Sequence, residues 1–188
     1  MTYQILVSTM HQTDDSKYTE MNLNSDAIII NQSDNYCVSE DVKNGFRVKL
    51  FTLNERGVGL SRNTALMRAD ADIIQFADDD MIFSDTYRDD VIREFESHPE
   101  ADAILFSLDS LNLDRPLLKI KKFKRVRKIE ALKYGCARLA IRREKVIYNN
   151  ITFSLLFGGG AKYGSGEDTL FLQDCIREGL NIYKSPVK

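Results

Sequence analysis

Ile73-Ile74-Gln75-Phe76-Ala77-Asp78-Asp79-Asp80 decides the reading of this chain, because a β-rich apolar run passes without a break into three consecutive aspartates. Short apolar runs of this kind mark buried strands, and open α/β sheets gather their ligands where such strands end. The carboxylates are therefore expected at the mouth of a site. Alternate residues leaving a strand can share one side, so Asp78 and Asp80 are expected to converge on a hard divalent cation or a ligand while Asp79 turns away. Aspartate is also a common turn residue, and the same triplet fits a solvated acidic turn.

Outward from this junction, strand-like runs at 4–8, 27–30, 46–51 and 73–77 alternate with helical ones, and a helix over 60–69 feeds the last through a right-handed crossover. Further on, the periodicity predicts a helix over 85–97 with Val91, Ile92 and Phe95 on one face, and strands over 103–107 and 137–141. A last helix over 167–178 has Gly179 as its stop signal, before a short strand over 181–184 cut off by Pro186. The alternation predicts an α/β fold, without internal repeats or a linker. With 188 residues and an apolar fraction of 43%, the chain suits one core, hence a single domain over 1–188.

The 26 basic and 28 acidic residues leave a formal charge of -2, which gives no overall case for a nucleic acid partner. Cys37, Cys136 and Cys175 match neither a disulfide framework nor a zinc pattern, so buried thiols in a reduced, cytoplasmic setting are expected. The start of the chain runs straight into a strand with no basic leader, and no apolar run approaches membrane-spanning length. Local charge is less even. Lys119-Ile120-Lys121-Lys122-Phe123-Lys124-Arg125-Val126-Arg127-Lys128 carries apolar residues at every third position between cations. Such a run fits a solvated sheet edge, and it also fits peripheral contact with anionic lipid at the inner face of a plasma membrane, worth about 1 kcal/mol per basic residue. His98, before Pro99, is expected in a surface turn, and His11 lies alone in the first loop.

Between the third and fourth strands, Asn54-Glu55-Arg56-Gly57-Val58-Gly59-Leu60-Ser61-Arg62-Asn63 brings glycines to a turn before a helix, where free N–H groups and the helix dipole favour an anion. Arg56 and Arg62 add positive charge. Neither a Walker pattern nor the dinucleotide Gly-x-Gly-x-x-Gly is present, since Arg62 holds the third glycine position. The glycines also suit unusual backbone angles alone.

In their order these pieces resemble the family 2 glycosyltransferases of the GT-A fold. Ser8-Thr9-Met10-His11 is similar to the family's opening nucleotide-binding strand and loop. Gly59-Leu60-Ser61-Arg62-Asn63-Thr64-Ala65-Leu66 followed by Ala71-Asp72 and the aspartate strand resembles its Arg-Asn helix and Asp-x-Asp strand, and Gly166-Glu167-Asp168-Thr169-Leu170-Phe171 its Glu-Asp motif. The resemblance implies the nucleotide-diphospho-sugar transferase fold: one Rossmann-like α/β/α domain around a mostly parallel mixed sheet. Residues 1–110 would form the nucleotide-sugar-binding half and 111–188 the acceptor-side half. Relatives usually continue past the position of Lys188 with further acceptor and metal-binding elements, so a shortened acceptor side is expected.

The same resemblance implies an inverting, metal-dependent transfer of a sugar from a nucleotide-diphosphate donor to a hydroxyl of a growing surface polysaccharide or glycolipid. Asp80, with Asp78, would hold Mn²⁺ or Mg²⁺. Thr9, Met10, Asn31, Gln32, Gly59, Arg62, Asp78 and Asp79 would contact the nucleotide-sugar, with Arg62 on the diphosphate or base and Asn31 and Gln32 standing where the family commonly has an acid near the nucleobase. Asp168 would be the base, with Glu167 in reserve. Ser165-Gly166-Glu167-Asp168 also fits a helix capping box, and Phe157-Gly158-Gly159-Gly160-Ala161-Lys162-Tyr163-Gly164 a mobile loop that could close over the acceptor. Two other functions fit the same features: a sugar-nucleotide nucleotidyltransferase, although Ser8-Thr9-Met10-His11-Gln12-Thr13 lacks that class's glycine and arginine, and a catalytically silent nucleotide-sugar-binding subunit.

Overall fold

In the computed structural model, which describes residues 1–112, 114 and 116–188, the strands join in one 9-stranded sheet. Its members are β1 (Tyr3–Met10), β2 (Asp26–Gln32), β3 (Cys37–Lys43), β4 (Phe46–Leu53), β5 (Ile73–Asp78), β6 (Ala103–Leu105), β7 (Lys124–Arg125), β8 (Leu139–Arg142) and β9 (Ile182–Lys184). They stand in the order β3-β4-β2-β1-β5-β8-β6-β9-β7. The centre, β4-β2-β1-β5, is parallel. β3 folds back antiparallel on β4, β8 is antiparallel to both β5 and β6, and β7 to β9. From β1 the chain steps one way to β2, and from β4 it crosses back over both to β5. The carboxyl ends of β1 and β5 therefore flank the point where the winding reverses, which is where such sheets open a crevice.

Strand parity sorts the apolar residues onto two faces. Leu6, Ile28, Ile30, Ile74 and Phe76 face one core together with Leu66 of the helix Val58–Leu66 and Phe171 and Leu172 of the helix Glu167–Arg177. Ile5, Val7, Ile29, Ile73 and Ala77 face another with Tyr18, Tyr87, Val91 and Phe95, the last three from the helix Tyr87–Ser97. Here α1 is Lys17–Glu20, α2 Val58–Leu66, α3 Tyr87–Ser97, α4 Lys128–Ala131, α5 Arg143–Tyr148 and α6 Glu167–Arg177. Helices thus cover both sides of the sheet, and burial of each large apolar side chain contributes about 1.5–3 kcal/mol. The first core is held by aromatic packing: Phe153 stacks on Phe171 with ring centroids 4.0 Å apart and meets Phe76 edge-on at 5.1 Å.

Most expected elements form, with shifted ends. α2 starts two residues earlier than its periodicity, since Gly57, at φ 121°, already turns the chain as its N-cap. α6 ends as the sequence implies: Gly179 has φ 84°, its N–H bonds Ile176 O, and the Leu180 N–H bonds Cys175 O, a Schellman closure. The strand expected over 137–141 begins only at Leu139, because Cys136–Arg138 winds a 3₁₀ turn first. β3 was not foreseen. It is an exposed outer strand, so its sequence lacks the apolar alternation of a half-buried one, and Cys37 on it is exposed while Cys136 and Cys175 are buried. His98 opens the expected turn, its carbonyl accepting from the Ala101 N–H at 3.0 Å, and it also ends α3 and stacks on Phe123, 3.5 Å between centroids.

Candidate active site

The crevice between β1 and β5 collects the residues singled out from sequence. Ser8 and Asp78 are register partners, and the next residue on each chain is joined by a hydrogen bond from Thr9 Oγ1 to Asp79 Oδ2 at 2.5 Å. Asp78 shares the parity of Ile74 and Phe76, so it emerges toward α2 and α6. Asp79 turns to the opposite face, as its parity implies, and bonds Thr9, so the three aspartates have three different surroundings. Asp78 is bound to Arg62, Asp79 to β1, and Asp80 is exposed at the turn. On the other wall Ser61 Oγ donates to Ser8 Oγ at 2.9 Å, tying α2 to β1.

Arg62 is the hub. Its side chain is 3% exposed, donates to Asp78 Oδ1 at 2.9 Å, lies 3.5 Å from Glu167 Oε1, and bonds Asp168 Oδ1. Burial works against the guanidinium charge, but Asp168 and then Asp78 outweigh it, and its pKa stands above the ordinary arginine value. The guanidinium also lies 5.3 Å from the Phe153 ring centroid, and its buried Nε has no hydrogen-bond partner. The family resemblance implies a diphosphate or base contact for Arg62. In the structure its charge is turned inward, joining the strand-end aspartate to the acids of α6 across 106 residues of chain.

Asp168 accepts from Arg62 with one oxygen and from the Cys136 N–H at 3.0 Å with the other. The N-cap of α6 is Gly166, at φ 116°, and no side chain caps the helix, so the expected capping box does not form. The two acids instead sit in the first turn, where the helix dipole favours negative charge. The 3₁₀ turn supplying the Cys136 N–H carried no sequence signal. Neither did the clamp made by Asn63, whose side chain donates to Phe153 O at 2.9 Å and accepts from Phe153 N at 2.8 Å. That clamp holds the aromatic platform under Arg62.

The glycine turn before α2 is occupied by protein. Gly57 N–H donates to Gln32 Oε1 at 2.7 Å and Val58 N–H to Gly159 O at 2.9 Å, while Arg56 pairs with Asp34 at 2.6 Å. Two of the N–H groups expected to face an anion, those of Gly57 and Val58, thus serve contacts between neighbouring loops. The Gly158–Gly160 stretch is pinned rather than free, with Gly158 N–H bonded to Tyr163 O at 2.8 Å and Phe157 packed on Tyr163 at 4.9 Å. Gly59 has a packing role: a Cβ there would stand 2.5 Å from Ser154 O. Because that atom is backbone, Gly59→Ala is expected to cost about 1–3 kcal/mol, seen as a lower urea midpoint with unchanged slope.

Asn31 and Gln32 are also committed. The buried Asn31 amide donates to Gln12 O and Thr52 Oγ1 and accepts from the Gln12 N–H at 2.9 Å, so it fixes the loop after β1. Met10 is 46% exposed at the end of β1. Beside them a cavity of about 690 Å³ opens between the loop after β1 and the ends of β2 and the β3–β4 hairpin, walled by His11, Gln12, Asp14, Ser33, Asn35 and Thr52 among others. None of the crevice carboxylates lines it.

Among the described residues no three His, Cys, Asp or Glu side chains cluster as a metal cage. The donor set is nonetheless of the right kind, since the crevice offers hard carboxylate oxygens on Asp78 and the exposed Asp80. Mn²⁺ and Mg²⁺ are held in many phosphate sites by one or two carboxylates, with substrate oxygens and water completing the shell. Asp78 and Asp80 are residues that would suit such an ion.

This architecture is the GT-A glycosyltransferase fold. Over the whole chain it superposes on S. aureus TarS 1-349 in complex with UDP-GlcNAc with a TM-score of 0.75 at 17% identity, and on the same protein in complex with UDP at 18%. It covers 57% and 59% of those chains, so it spans less than two thirds of their length. Mannosyltransferase PcManGT from Pyrobaculum calidifontis, in complex with GDP-Man and Mn²⁺, matches 98% of this chain and 57% of its own at a TM-score of 0.59 and 14% identity. No curated protein matches the sequence. Residues 27–152 match the model of glycosyl transferase family 2, and the chain belongs to that family.

Proposed function

We propose that the chain transfers one sugar from a nucleotide-diphosphate donor to a hydroxyl of a growing surface polysaccharide or glycolipid, with inversion, in a cytoplasmic setting. The observation that carries this reading is the ion cluster in which Arg62 joins Asp78 to Glu167 and Asp168. A donor-side carboxylate and acceptor-side carboxylates are thereby held at one crevice. Residues 1–110 would bind the donor and 111–188 the acceptor side. The cavity beside His11 and Ser33 suits the neutral nucleoside end, because its acidic wall, Asp14 included, would repel phosphates.

Asp80 and Asp78 would hold Mn²⁺ or Mg²⁺, which supplies positive charge to the departing diphosphate. Asp168 takes the proton of the acceptor hydroxyl as that oxygen attacks the anomeric carbon from the face opposite the leaving group; Glu167 is its reserve. Arg62 fixes the direction in which Asp168 points, and Cys136 N–H its tilt. Thr9 and Asp79 brace the floor of the crevice.

Calorimetry with a panel of nucleoside diphosphates, with and without Mn²⁺, tests the reading. Binding that depends on Mn²⁺ is expected, and Asp80→Ala should weaken it by more than the roughly 10–100-fold that changes behind a metal's direct ligands cost. Undiminished binding by that variant would remove the ion from this crevice. Consumption of a nucleoside triphosphate would favour the nucleotidyltransferase, and binding without turnover the silent subunit.

A further inference from the structure

The basic run over 119–128 is the part of the chain that the site leaves unexplained. Its apolar residues turn inward: Ile120 and Val126 are 6% and 5% exposed, and Phe123 lies between His98 and Tyr183. Its seven cations all face solvent, and among the described residues none of them forms an ion pair. The run contains the outermost strand β7, so the charge is mounted on a fixed edge of the sheet rather than on a loose tail. A chain of formal charge -2 thus carries a concentrated positive margin.

Exposed apolar side chains flank the run on both sides. Leu117 and Leu118 precede it at 41% and 47% exposure, and Ile129 and Leu132 follow at 80% and 55%. Hydrophilic polyanions have no use for such residues, whereas a bilayer accepts them beneath its headgroups while the lysines meet the lipid phosphates. Among the described residues no helix is long and apolar enough to cross a membrane, so the contact would be superficial. We infer that this margin, residues 117–132, docks the protein on an anionic lipid surface, with the lysines and arginines as the electrostatic contact and Ile129 and Leu132 as shallow anchors. The margin is tied to the crevice: α4 carries Ile129, and the Gln173 side chain of α6 donates to Lys128 O at 2.7 Å. A lipid-linked acceptor would then meet the helix that opens with Glu167 and Asp168.

Flotation of the full chain with vesicles of phosphatidylcholine alone, and of phosphatidylcholine with an equal part of phosphatidylglycerol, tests the inference. Binding to the second kind only is expected. Replacing Lys121, Lys122 and Lys124 together by Gln should lower partitioning by roughly a hundredfold, and Ile129→Ser with Leu132→Ser should lower it further. These changes lie on the surface and should leave nucleoside-diphosphate binding intact, so a failed donor reading and a failed membrane reading are told apart. Equal binding to both vesicles, or none, overturns the inference. So does equal retention on soluble polyphosphate by the parent and the serine variant when neither binds vesicles, which would assign the margin to an anionic polymer.

Discussion

Arg62→Met is expected to unfold at a markedly lower urea concentration than the parent, a loss of about 3–5 kcal/mol at neutral pH. The guanidinium is almost fully enclosed and serves Asp78, Glu167 and Asp168, whose side chains keep 43%, 13% and 25% of their exposure. Removing it leaves three carboxylates facing each other without a counter-charge, and methionine fills the stem's volume without replacing the fork. Arg62→Lys should recover only part, since one ammonium cannot form the divergent bonds that a planar fork directs to Asp78 and Asp168. A midpoint equal to the parent's would mean that the cluster contributes nothing to the fold.

Asp168→Asn should lower transfer by about 10²–10⁴-fold, the range for loss of a positioned base, while donor binding by calorimetry persists. Both oxygens of Asp168 face donors, Arg62 and the Cys136 N–H, so the amide must turn an NH₂ group against one of them. That mismatch costs about 1–3 kcal/mol. Turnover is therefore compared well below the variant's own melting temperature, where the fold is intact. If the variant keeps its rate, Asp168 is a structural partner of Arg62 alone, and Glu167→Gln becomes the decisive comparison.

What the sequence made legible follows the reach of local rules. The run ending at Asp78, the glycine at α2's start and the Gly179 stop are short-range signals, and their elements form close to where they were expected. Asp80 stands exposed at the end of β5 for the same reason. Partners set by packing were not legible. That Arg62 is buried depends on α2 packing closely through small residues, Gly59 against Ser154 and Ser61 against Ser8 of β1, and an arginine on such a helix reads in sequence as a solvated one. Asn31 and Gln32 are donors and acceptors by type, but their partners on Gln12 and Gly57 exist only once three loops meet. β3 escaped notice because an outer strand need not bury a face.

The position of β8 has a consequence for biogenesis. This strand, made late, is wedged between β5 and β6, both made early. As the polypeptide leaves the ribosome, β5 therefore waits with one flank, Ile73 to Gln75, open until residues 139–142 arrive. During that interval the nascent sheet offers a sticky border to other unfinished chains, the condition in which holdase chaperones are needed.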